Sequence, residues 1–181
     1  MDAAGNFAAM PPAIPFRTGI GFDVHPLRAG LPLMVGGILI PHDKGAAGHS
    51  DADTLIHAIC DALLGAAALG DIGVLFPDTD ERYKGIDSKI LLARTAEQVR
   101  SRGFDIGNID CTVCLQRPKL RPYIPQMTAC LAQVLHIAPE QVSVKATTTE
   151  HLGFVGREEG IAAYATVLLA VRQDPACGLQ P

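Results

Sequence analysis

Residues 53–69 impose the tightest constraint on what this chain can become. Leu55, Ile56, Ile59, Leu63 and Leu64 recur at helical spacing, and Ala66, Ala67 and Ala68 follow before Gly70. A helix so apolar has to be covered, and the segments around it supply the cover. Residues 16–27, 33–40, 106–116, 141–147 and 160–171 read as strands. Two further helices are expected at 89–102, capped by Ser88 and closed by Gly103, and at 124–135, opened by Pro122 or Pro125. Gly36-Gly37 marks a bulge or tight turn, and residues 41–48 read as a solvated loop carrying His42.

This order of elements predicts an α/β fold of the α+β type, a small mixed sheet of four to five strands with helices on one face. The other face is then apolar and uncovered, which predicts self-association. One domain is expected over residues 16–172. Residues 1–15 and 173–181 are read as a flexible extension and a flexible tail.

Composition excludes some classes of function. The net charge is −4 and no block of Lys and Arg occurs, so no nucleic-acid surface is expected. The longest apolar runs are too short to span a bilayer as a helix, and no membrane partner is expected. Residues 1–15 carry an acid, three prolines and no basic residue, unlike a signal or transit peptide, so a cytoplasmic location of bacterial type is expected. The chain has 5 cysteines without disulfide-rich spacing. Cys111 and Cys114 form a CxxC inside a strand, where i and i+3 face opposite ways, so they are read as small buried hydrophobes.

The chemistry concentrates between Phe22 and His57. In an extended FDVH, Asp23 and His25 project to the same face. Ser50 or Asp51 is expected to cap the following helix, along which Asp53, His57 and Asp61 are spaced i, i+4, i+8. Two imidazoles and a carboxylate are a suitable three-ligand set for Zn²⁺ with its fourth position open. A His on a half-apolar helix is more often an ordinary hydrogen-bonded residue, and spacing leaves both readings standing. Asp61 either bonds a ligand imidazole or is a helix-surface carboxylate. His49 lies just before the helix start, where free N–H groups attract anions. The acidic stretch 76–82 reads as a solvated turn or a lid.

An ordered set of motifs then identifies a family. GFDVH, HSDAD…H, DALLGAAALGDIG, FPDTD, NID, PK, KATTTE and LGF-GR-EGIA run unbroken through residues 17–171. Together they resemble the 2-C-methyl-D-erythritol 2,4-cyclodiphosphate synthases, the cyclases of the non-mevalonate isoprenoid route. The resemblance implies a homotrimer with an active site between each pair of subunits. It implies a cytidine diphosphate substrate, 4-diphosphocytidyl-2-C-methyl-D-erythritol 2-phosphate, whose 2-phosphate attacks its own β-phosphorus and expels CMP.

By the same resemblance, Asp23, His25 and His57 are ligands of zinc or another divalent transition metal. Glu150 matches the position holding Mg²⁺ or Mn²⁺, and His49 and Thr148 match transition-state stabilisers. Asp71, Ile72 and Gly73, with Phe76, Pro77, Asp78, Thr79 and Asp80, resemble the loops around the methylerythritol. Leu115, Gln116, Arg117, Pro118, Lys119, Leu120 and Arg121, with Thr147, Thr148, Thr149 and Glu150, resemble the cytidine pocket. Val24, Ser50, Phe154 and Arg157 match other substrate-contacting positions, and Arg157 is the preferred phosphate clamp. A zinc-dependent phosphohydrolase and a non-catalytic trimer binding a ligand in an apolar central channel are the alternatives.

Overall fold

The structure is a computed structural model that describes residues 14–77 and 79–172. The expected extension and tail lie almost wholly outside those residues, as does Asp78. A five-stranded sheet forms the frame. It contains β1 (Phe16–Ala29), β4 (Lys44–Ala46), β5 (Phe104–Cys114), β6 (Val142–Thr147) and β7 (Gly160–Val171), in the order β4-β1-β7-β5-β6. Only the β5–β6 pair is parallel. The segment joining those two strands contains the helix α4 (Ile124–Leu135), as a parallel crossover requires. A separate hairpin joins β2 (Leu33–Val35) to β3 (Ile38–Ile40) across Gly36-Gly37, both at positive φ. The mixed sheet and its helices are as the sequence led us to expect.

The helices α1 (Thr54–Ala66), α3 (Ser88–Ser101) and α4 cover one face of the sheet. On β1 the alternation is sharp. Gly21, Asp23 and His25 turn toward the helical layer, while Ile20, Phe22 and Val24 are exposed on the other side. Ile20 is 71% exposed, and the rings of Phe22 and Tyr164 meet at 4.9 Å on that open face. An apolar uncovered face was expected, and one is found.

Helix α1 lies closer to β1 than side chains would allow. A Cβ at Gly21 would stand 1.9 Å from the carbonyl oxygen of Ala58, and one at Gly19 2.1 Å from that of Ala62. Two glycines on the strand and a row of alanines on the helix let backbone meet backbone. This contact carries the first turn of α1 to the strand that bears Asp23 and His25.

The helix begins later than the sequence suggested. Ala52 sits at φ 56, which breaks the chain after Ser50 and Asp51 and makes Asp53 the N-cap. The Asp53 carboxylate accepts from Ile56 N at 3.0 Å, Gly36 N at 2.9 Å and Gly37 N at 2.6 Å. It is fully buried and pins the β2–β3 turn to the helix instead of lining the site. Likewise Asp87, not Ser88, caps α3. His42 is not solvated: its side chain is 10% exposed, with Nδ1 3.1 Å from Asp43. Part of the expected loop at 41–48 is the edge strand β4, paired with the end of β1. Cys111 is buried and Cys114 half-buried on opposite faces of β5, so they form no chelate.

Candidate metal centre and nucleotide cleft

Asp23, His25 and His57 converge. His25 Nε2 lies 3.0 Å from Asp23 Oδ2, His57 Nδ1 lies 3.1 Å from the same oxygen, and the two nitrogens are 3.2 Å apart. Each imidazole is held from its far side. His25 Nδ1 is 3.1 Å from the carbonyl of Ala47, an acceptor only, so Nδ1 carries the proton and Nε2 presents a lone pair. Gly48 leaves room for that ring, since a Cβ there would stand 2.8 Å from His25 Cε1. His57 Nε2 is 3.0 Å from both Ser50 Oγ and Ser88 Oγ, outside the cluster.

Three ligand atoms facing one another at 3.0–3.2 Å attract positive charge. Tetrahedral ligands at zinc's ordinary bond lengths stand about 3.3 Å apart, so the spacing fits a divalent transition ion. Among the described residues this is the one group of His, Cys, Asp or Glu compact enough to hold a metal. A proton competes for the same place. Burial alone would raise the Asp23 carboxyl, but its bonds with His25 and His57 hold it well below the usual carboxylate range. Burial would lower the His25 imidazole, and the Asp23 carboxylate overrides it and pushes it up.

Asp61 plays neither expected part. Its Oδ1 accepts from Ile72 N at 2.8 Å and so anchors the short helix α2 (Ile72–Leu75) beside the triad. Burial pushes its carboxyl up. The loops around the centre border an open cleft of about 400 Å³ lined by His25, His49, Ser50, His57, Ile72, Gly73, Phe76 and Pro77, among others. His49 Nε2 is 3.4 Å from the carbonyl of Asp80, whose carboxylate grips Arg82. Asp71 caps α2 through Val74 N, and Thr79 lies in the turn between. Phe76 and Tyr83 pack edge to face at 5.4 Å across that loop.

A second cavity, about 520 Å³, is lined by Leu115, Pro118, Lys119, Leu120, Arg121, Thr147 and Thr148, with Ile124, Val144, Lys145 and Ala146. Its lining residues are those at the ends of β5 and β6 and the start of α4. The two cavities share no lining residue. Glu150, at φ 50, accepts from Thr148 Oγ1 at 2.8 Å and is not part of the triad. Gln116 is buried against His151, and Arg117 is paired with Glu158. Phe154 and Val155 lie on the short helix α5 (Gly153–Gly156), and Arg157 pairs with Glu159. Val24 faces the open side of the sheet, away from the triad. Sequence reasoning missed Ser88 and Ala47, whose contacts with the imidazoles come from segments distant in the chain and leave no local signal.

Fold and site together define a class: α/β proteins with one helical layer and an Asp-His-His cluster, compact enough to hold a metal ion, at the start of a buried helix. The sequence model of the YgbB family matches residues 16–170. A Porphyromonas gingivalis protein named 2-C-methyl-D-erythritol 2,4-cyclodiphosphate synthase is 63% identical over 155 residues, 86% of this chain and 96% of that protein. A Bacteroides fragilis protein of the same name is 60% identical over 153 residues, 84% and 96% of the two chains. Among solved structures, the bifunctional IspDF of Campylobacter jejuni superposes with a TM-score of 0.85 at 44% identity, over 88% of this chain and 43% of that one. A Plasmodium falciparum IspF in complex with CDP gives 0.78 at 33% identity, over 87% and 97%. The chain belongs to the YgbB family.

Proposed function

We propose that this chain is a 2-C-methyl-D-erythritol 2,4-cyclodiphosphate synthase. It takes 4-diphosphocytidyl-2-C-methyl-D-erythritol 2-phosphate and releases CMP. An oxygen of the 2-phosphate forms a bond to the β-phosphorus. The bond from that phosphorus to the oxygen bridging it to the α-phosphorus breaks, and CMP leaves with the electron pair. The observation that carries the reading is the triad itself, within a chain 60–63% identical to proteins of that name.

The obstacle is repulsion between two anionic phosphates, since the attacking oxygen is already ionised and needs no general base. A dication on Asp23, His25 and His57, zinc or a similar transition ion, supplies positive charge beside the diphosphate. The side chains do the rest. His49 and Ser50 line the same cavity as the triad imidazoles and offer hydrogen bonds to phosphate oxygens. Glu150, whose carboxylate accepts from Thr148 Oγ1 at 2.8 Å, would hold Mg²⁺ or Mn²⁺, which would supply further positive charge to the phosphates. Both phosphates belong to one molecule, so the attack is intramolecular, and holding both ends of the substrate in a near-attack shape is worth several kcal/mol.

The 520 Å³ cavity suits a cytidine, and the CDP-bound relative supports a nucleotide ligand. That the cleft and the triad share no lining residue in one chain supports a complete site that combines the cleft of one copy with the triad of the next. The apolar open face of Ile20, Phe22, Val24 and Tyr164 supports a homotrimer that buries it. Turnover in ¹⁸O-labelled water tests the reaction. CMP and a cyclic product free of label are expected. Label in the product would instead mean hydrolysis, as in a zinc phosphohydrolase.

A further inference from the structure

We propose that Ser88, held by Asp51, is a positioning residue that decides which nitrogen of His57 faces the cation. The inference rests on the cation reading of the triad and extends it to two residues on neighbouring loops.

Ser88 is the first residue of α3 and is 0% exposed, so its hydroxyl has no water to turn to. Its Oγ–H donates to Asp51 Oδ1, and its backbone N–H donates to Asp51 Oδ2 at 3.1 Å. A carboxylate only accepts, and a hydroxyl has one proton to give. With that proton committed, Ser88 Oγ can only accept from His57 Nε2, which lies 3.0 Å away. The single proton of the neutral imidazole is therefore on Nε2, and Nδ1 presents its lone pair to Asp23 and His25.

Ser50 does not do this alone. Its Oγ is also 3.0 Å from His57 Nε2 and accepts from Ala52 N at 3.1 Å. Its own proton, however, has as partners among the described residues only Ser88 Oγ at 3.3 Å and His57 Nε2 itself. Without Ser88, that proton is free to point at Nε2 and to stabilise the wrong tautomer. The carboxylate of Asp51 is thus what gives the chain Asp51–Ser88–His57 its direction. The same contact draws two loops together, with Gly85 N bonded to the carbonyl of His49 at 2.8 Å and Asp51 N to that of Ile86 at 3.1 Å.

Two variants of the full-length protein test this. Ser88→Ala removes the acceptor. Asp51→Asn keeps the shape but reverses the chain: its amide oxygen takes the Ser88 N–H, its NH₂ faces Ser88 Oγ, and the hydroxyl proton turns toward His57. Zn²⁺ affinity is read by competition with a chromophoric chelator. The His57 tautomer is read from the ¹⁵N shifts of histidine-labelled protein. Affinity is expected to fall 10- to 100-fold in both variants. Metal-free Asp51→Asn is expected to shift His57 toward the Nδ1–H form, a signature that a loss of stability alone would not produce. Wild-type affinity and an unchanged Nε2–H signal in both variants would overturn the role of Ser88 while leaving the cation reading intact. A wild-type chain that takes up no Zn²⁺ would overturn the cation reading itself.

Discussion

The approach of α1 to β1 makes a quantitative prediction for Gly21→Ala. The new Cβ would lie 1.9 Å from Ala58 O, whereas ordinary contact begins at 3.4 Å. The first turns of α1 must recede by about 1.5 Å (3.4 − 1.9) to admit it. His57 precedes Ala58 on the same turn, so a rigid recession would carry its Nδ1 from 3.1 Å to as much as roughly 4.6 Å from Asp23 Oδ2. Ligand distances in a metal site fall within about 0.2 Å of the ordinary values, so one ligand is lost and affinity falls by more than the roughly 10- to 100-fold that loss of an outer-shell partner costs. The overpacking costs about 1–3 kcal/mol, or roughly 2–12 °C of Tm for a chain of this size, so the protein stays folded at 25 °C.

Gly65→Ala on the same helix is the control. Its Cβ would meet nothing nearer than Ile20 O at 4.0 Å, so stability should rise by about 0.5–1 kcal/mol with affinity unchanged. Chelator competition and thermal melts read both variants. Gly21→Ala with wild-type affinity would refute the claim that backbone contact positions His57.

Three further outcomes are expected. In metal-free protein Asp23 is held below 3.8 and stabilises above that pH, whereas His25 is raised above 6.5 and stabilises below it. The pair therefore supports the fold most strongly between about pH 4 and 6.5, and its support is lost as pH rises through the raised value of His25. Urea unfolding of the chelated protein at pH 5.5 and 8.5 checks this, and His25→Ala should flatten the difference. Asp61→Ala should cost about 0.5–1.5 kcal/mol and speed amide exchange across Ile72–Leu75, because Ile72 N loses its acceptor; exchange at the wild-type rate would count against that anchor. Inactive His57→Ala and Thr148→Ala chains, reassembled together in equal amounts, should recover about a quarter of wild-type activity, the fraction of interfaces pairing two intact halves. No recovery would mean each chain builds its whole site.

How far the site was legible depends on the distance of each contact along the chain. Asp23 and His25 were readable because strand alternation puts them on one face, and His57 because one helix turn separates it from the cap. The cap itself was misplaced by three residues at most, since a positive φ at Ala52, where no glycine signals it, delays the helix. Asp53 could not be read as a buried tether, because Gly36 and Gly37 reach it from a separate hairpin. Spacing left Asp61 as either a partner for His57 or a surface carboxylate, but folding brings Ile72 N to it instead. The assignment of the 520 Å³ cleft to a nucleotide came from motif resemblance alone. Its walls come from β5, β6 and α4, which no single period in the sequence brings together.

The central claim is that Asp23, His25 and His57 hold one divalent cation. X-ray absorption on the purified, zinc-loaded protein tests it most directly. One ion per chain is expected, bound by two imidazole nitrogens and a carboxylate oxygen at about 2.0–2.2 Å, and absent from His57→Ala. A spectrum without imidazole, or the same ion content in His57→Ala, would contradict it.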